Sequence, residues 1–108
     1  MKINILGTEY EILNQTEEEN PKLEEANGIC ELYSKKIILR NIPDDKMNFE
    51  NMVAFNHKIL RHEIIHAFFA ESGLRSNSDF AENEELVDWI AIQFPKIAKV
   101  FSDLNIWD

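Results

Sequence analysis

The sequence predicts an α+β fold: a short antiparallel sheet of two hairpins packed on a central helix, with a second helix beside it. Three observations carry this expectation. The first forty residues hold four short apolar runs separated by turn residues. Residues 48–72 contain neither Pro nor Gly and then meet Gly73, a natural helix stop. Ser76-Asn77-Ser78-Asp79 supplies cap residues ahead of a second helical pattern. A length of 108 residues predicts a single domain, 1–108, with one core rather than a two-lobed enzyme.

Each element has a local reason. Ile3 and Ile5, then Tyr10 and Ile12, alternate with polar residues on either side of Gly7-Thr8, as two strands joined by a tight turn do. Residues 16–27 are acidic and interrupted by Pro21, which predicts a loop with room for one helical turn. Gly28 opens Ile29-Cys30-Glu31-Leu32-Tyr33, and Lys36-Ile37-Ile38-Leu39-Arg40 follows Ser34-Lys35, giving the second hairpin; 41–46, with Pro43, ends it.

At 100° per residue, the face of the 48–72 helix that holds His62 also carries Phe55, Ile59, Ile65, His66 and Phe69, while Val53, Leu60 and Ile64 lie opposite. A helix apolar nearly all round is expected to be central and buried, with Phe55, Phe68, Phe69 and Trp89 in the core. Asp79 and Glu82 are spaced as a capping box, so the second helix is expected over 80–94, ended or kinked by Pro95. Ile97, Val100, Phe101, Leu104, Ile106 and Trp107 then predict a tail docked on the domain.

Composition narrows the function. Eleven basic against twenty acidic side chains give a net charge of −9, which repels a phosphate backbone and argues against a nucleic-acid partner. The same charge mildly favours basic or neutral substrates. Cys30 is the one cysteine, so no intrachain disulfide forms and a reducing, cytoplasmic location is expected. The N-terminal apolar run is too short for a signal peptide, and no membrane partner is expected. Oligomeric state leaves no mark on the sequence.

The most informative stretch is His62-Glu63-Ile64-Ile65-His66. Residues four apart share a helix face, so both imidazoles can reach one zinc ion, and Glu63 then lies where it can take a proton from a metal-bound water. Catalytic zinc normally takes a third protein ligand and keeps a fourth position for water. His57 is the wrong candidate, pointing roughly 140° away from His62 by the helical period. Glu82, Glu84, Glu85 and Asp88 compete on the second helix. Leu86, Val87, Ile90, Ala91 and Phe94 mark its apolar stripe; Glu84 and Asp88 border that stripe, while Glu82 and Glu85 turn toward water. A carboxylate at the rim of a core is costly unless paired or bound to metal. Glu84 is therefore the expected third ligand, and Asp88, one turn on, the expected acceptor of a ligand histidine's other ring N–H.

The pairing of His62-Glu63-x-x-His66 with Asn83-Glu84-Glu85-Leu86-Val87-Asp88 resembles the gluzincin zinc peptidases, in which a His-Glu-x-x-His helix is followed by a helix bearing Asn-Glu-x-x-x-Asp. The residues 62–74 (HEIIHAFFAESGL) and 83–97 (NEELVDWIAIQFPKI) are similar to the minimal ImmA/IrrE-like metallopeptidases, in particular to small phage-encoded predicted members. The resemblance implies His62, His66 and Glu84 as ligands of one Zn2+, Glu63 as general base and Asp88 as the outer partner of a ligand histidine. It also implies that a peptide or protein substrate adds as a strand to 28–33 or 36–40. Larger gluzincins stabilise the oxyanion with a His or Tyr from a second domain; here Tyr33 or Tyr10 is the expected substitute.

The expected function is zinc-dependent hydrolysis of a peptide bond by a Glu63-activated, zinc-bound water. The alternative is a non-catalytic interaction module stabilised by zinc, or a phage accessory protein.

Overall fold

A computed structural model describes residues 1–41 and 52–108. The architecture is α+β: a four-stranded mixed sheet and three helices. Strands β1 (Lys2–Ile5) and β2 (Thr8–Gln15) form the first hairpin, with Ile5 opposite Thr8. The turn is Leu6-Gly7, both at positive φ (50° and 92°), the two-residue geometry that matches strand twist. A 3-10 turn, Pro21–Glu24, follows, capped by the Asn20 side chain accepting from the Lys22 amide. Strands β3 (Gly28–Glu31) and β4 (Lys36–Arg40) form the second hairpin.

The sheet departs from the expectation in one respect. Its order is β1-β2-β4-β3, and β2 pairs with β4 in parallel, Ile12 opposite Ile37. The two hairpins are joined edge to edge by this parallel pair, so the sheet is mixed rather than antiparallel. The segment after β2 carries the chain past the future position of β4 to the outer edge, and β4 fills the gap on its return. β4 is thus interior, which removes 36–40 as a substrate edge and leaves β3.

Helix α1 (Met52–Glu71) lies against the sheet: Ala67 is fully buried with Ile5, Tyr10 and Ile37, and Leu60 and Ile64 pack on that cluster. The expected first turn from residue 48 and the loop around Pro43 lie outside the described residues. At its far end Glu71 accepts hydrogen bonds from Tyr10 Oη (2.8 Å), Thr8 Oγ1 (3.2 Å) and Lys35 Nζ (2.7 Å), pinning the helix to the first hairpin. Gly73 (φ 85°) then turns the chain into the one-turn helix α2 (Leu74–Asn77).

Three expectations about the helices are corrected. α1 is not buried all round: Val53 and Phe68 are exposed, because only one flank meets the sheet and another the third helix. The second long helix does not start near Phe80. Residues Asp79–Glu82 form a separate 3-10 turn with no side-chain cap, and α3 (Glu84–Leu104) starts at Asn83, whose Oδ1 accepts from the Leu86 amide (2.8 Å). Finally, α3 runs through Pro95. Proline lacks the N–H that Ala91's carbonyl would normally receive; Arg61 Nε on α1 donates to that carbonyl instead, at 2.6 Å.

With the helix prolonged, the stretch expected to dock as a tail extends outward. Val100, Leu104, Ile106 and Trp107 are exposed, and Trp107 folds back only onto its own helix, edge-on to Phe101 and bonded to Ser102 Oγ (2.9 Å). Trp89, expected in the core, is 56% exposed for the same reason: α3 buries Val87 and Ala91 and presents its other side to solvent.

Candidate metal and catalytic site

Three elements surround a cavity of about 500 Å³: β3 with the residues before it, the middle of α1, and the stretch from α2 to the start of α3. α1 contributes Lys58, Ile59, His62, Glu63 and His66, all within little more than two turns of one helix. α3 contributes Glu84 and Asp88, four apart on its first turns.

The expected ligand atoms meet. His62 Nε2 and His66 Nε2 are 3.2 Å apart; Glu84 straddles them, with Oε2 2.9 Å from His62 Nε2 and Oε1 2.9 Å from His66 Nε2. Three donors each about 2.0–2.1 Å from one tetrahedral zinc stand about 3.3 Å from one another. The observed set is close to that spacing. Glu63 also has an oxygen within 4.8 Å of the imidazole nitrogens, so by distance alone it competes with Glu84 as a ligand. Glu84 is nearer and reaches both histidines.

Asp88 meets the cluster from the other side of His62. Asp88 Oδ1 lies 3.2 Å from His62 Nδ1 and 2.8 Å from Lys58 Nζ. The hydrogen bond from Lys58, joined by that of His62, holds the Asp88 carboxyl below the usual carboxylate range, so it is an acceptor. His62 Nδ1 faces Asp88, while its Nε2 faces Glu84 and His66. A proton shared with the carboxylates satisfies this arrangement, and two imidazole nitrogens with a carboxylate are also a donor set of the kind zinc takes.

Glu63 differs from the acids around it. It is 7% exposed, and burial pushes its carboxyl up to about 7, with Glu84 adding to the rise and His62 opposing it. Burial holds His66 below the ordinary histidine value, favouring the neutral imidazole that binds metal. Beside them burial and the Glu63 charge push the Cys30 thiol up to about 12, which keeps it protonated.

Gly28 lets β3 approach this centre. A Cβ built on it would stand 2.8 Å from Ile59 Cγ2 and 3.1 Å from Glu63 Cγ. No strand covers the outer edge of β3 among the described residues.

Other expected residues stay apart. His57 is exposed and does not line the cavity. Tyr33 is fully exposed, and Tyr10 is buried in the core with its hydroxyl given to Glu71; neither lines the cavity, so neither replaces an oxyanion donor. Sequence reasoning missed Lys58, Arg75 and Gly28. Lys58 had a signal, since it lies one turn before His62 on the same face.

Comparisons with protein-family models, with curated proteins and with solved structures give no match to this chain.

Proposed function

We propose that the domain is a zinc-dependent peptidase in which His62, His66 and Glu84 hold the ion and Glu63 is the general base. The observation that carries this reading is the meeting of two imidazole Nε2 atoms and both oxygens of Glu84 within 3.2 Å, beside a buried carboxyl in an open cavity. Zinc bound to such donors would supply Lewis acidity, lowering the pKa of a water to about 7 and polarising a carbonyl.

The chain's own groups do the rest. Asp88 accepts the Nδ1 proton of His62 and keeps Nε2 turned toward the ion site. Glu63, with its pKa raised to about 7, is matched to taking a proton from the attacking water at neutral pH and passing it to the leaving amine. The open edge of β3 offers main-chain donors and acceptors to an extended peptide, which adds as a fifth strand and passes Glu63 at Gly28.

The test is cleavage of an unfolded protein by the zinc-loaded domain and by Glu63→Gln, with bound zinc measured in both. The wild type cleaves, while the variant keeps its zinc and loses about 10²- to 10⁴-fold in rate. Zinc bound by a wild type that cleaves nothing identifies an interaction module and rejects the peptidase reading.

A further inference from the structure

We propose that Arg75 determines specificity: in the cavity that holds Glu63, its guanidinium takes a carboxylate of the substrate, either the peptide's own C-terminus or an acidic side chain. The inference rests on the peptidase reading of the cavity and deepens it by naming a substrate class.

Among the described residues, Lys58 and Arg75 are the lysine and arginine that line the cavity. Lys58 is committed, 2.8 Å from Asp88. Arg75 is not. Among the described residues its nearest carboxylate is Glu82 at 3.7 Å, beyond hydrogen-bond length, and both side chains are substantially exposed (44% and 60%). Such a pair is worth little and exchanges readily for a better acceptor.

The backbone beneath Arg75 is nevertheless fixed. Gly73 makes the left-handed turn at the end of α1, Asn77 Nδ2 donates to the Gly73 carbonyl at 2.7 Å, and Ser72 Oγ bonds back to Phe69 O at 3.0 Å. The Cα of Arg75 is thus carried at a set place relative to the His62–His66 helix.

Arg75 lines the same cavity as Gly28, Ile29, Cys30 and Glu63. A peptide laid along β3 therefore passes both Glu63 and Arg75.

Charge selects a carboxylate as the group that Arg75 takes. The cavity also holds Glu63, Glu82, Glu84 and Asp88, in a chain of net charge −9 that repels acidic peptides in general. A planar guanidinium with free N–H groups binds both oxygens of a carboxylate at once, which a single backbone carbonyl does not match. The cavity thereby admits an acid at one position while disfavouring acids elsewhere.

The test uses the full chain loaded with zinc and three matched probes: acetyl-tetraalanine free acid, its amide, and amides carrying one Glu at each position in turn. The chain has three arginines, and Arg61 and Arg40 are already bonded, to Ala91 and Glu17. The Arg75 Nε–Hε resonance, assigned by its loss in Arg75→Gln, is expected to shift with an acid-bearing probe and not with the plain amide. Which probe acts separates a terminal from a side-chain carboxylate. In parallel, the KM preference for acid-bearing over neutral peptides, about tenfold or more for a charge-assisted contact, falls to near one in Arg75→Gln with kcat unchanged.

Equal binding of acid and amide overturns the proposal. A fall in kcat that is the same for every peptide also overturns it, because it makes Arg75 an oxyanion donor. If no probe is cleaved by any form, the peptidase reading fails, while the resonance shift still decides for or against carboxylate binding at Arg75.

Discussion

Gly28 and Glu63 stand so close that a methyl group on the glycine would come 3.1 Å from Glu63 Cγ, besides 2.8 Å from Ile59 Cγ2. The edge strand and the helix that carries the candidate base are packed with no room for a side chain between them. Gly28→Ala is therefore expected to push Ile59 and Glu63 aside. It should cost about 1–3 kcal/mol of stability as overpacking does, and lower hydrolysis more than zinc affinity. Melting temperature, zinc titration and turnover check this; a variant unchanged in all three contradicts the close approach.

Asp88 ties His62 on α1 to α3. Replacing it by Asn removes the negative charge that faces His62 Nδ1 and pairs with Lys58. Zinc affinity is expected to fall about 10- to 100-fold, the usual cost of losing an outer partner. A competitive chelator titration measures it, and equal affinity rules out the positioning role.

The metal-free domain carries a pH signature. Glu63 has a folded pKa of about 7, above its ordinary 4.5, so the folded state binds the proton more tightly. That contribution is complete below pH 4.5 and is lost as pH rises through 7. His66 works in the opposite direction: its folded pKa is depressed, so its contribution is present above about 6.5, the ordinary value, and declines as pH falls. Glu63→Gln removes the first effect and leaves the second. In urea titrations with chelator present, the variant should gain on the wild type by on the order of 1 kcal/mol or more at pH 8, and not at pH 4.5. The same difference at both pH values refutes the burial of an ionisable Glu63.

Arg61 and Pro95 make a reciprocal pair across α1 and α3. Arg61→Ala leaves the Ala91 carbonyl without a donor, at a cost of about 1–3 kcal/mol. Adding Pro95→Ala restores the helical N–H and should recover most of that loss. Denaturation of the two single variants and the double variant checks the coupling; additive effects contradict it.

How far the sequence disclosed this molecule depends on the range of each interaction. His62 and His66 share one helix face, and Glu84 and Asp88 another, so a helical period was enough to group them. Both hairpins were readable from alternation and turn residues. The parallel pairing of β2 with β4 was not, because it joins segments that are separate in sequence and leaves no local pattern. The passage of α3 through Pro95 depends on a donor 30 positions away, and the burial of Tyr10 on a carboxylate 61 positions away. Arg75 carried no pattern at all: an exposed arginine after a glycine turn reads as surface until the cavity wall is seen.

X-ray absorption at the zinc edge of the loaded protein tests the central assignment most directly. The account predicts one zinc per chain with two imidazole nitrogens at about 2.0–2.1 Å, the remaining donors oxygen, and one imidazole lost in each of His62→Ala and His66→Ala. No tightly bound zinc, a sulfur donor from Cys30, or two imidazoles persisting in either variant would contradict it.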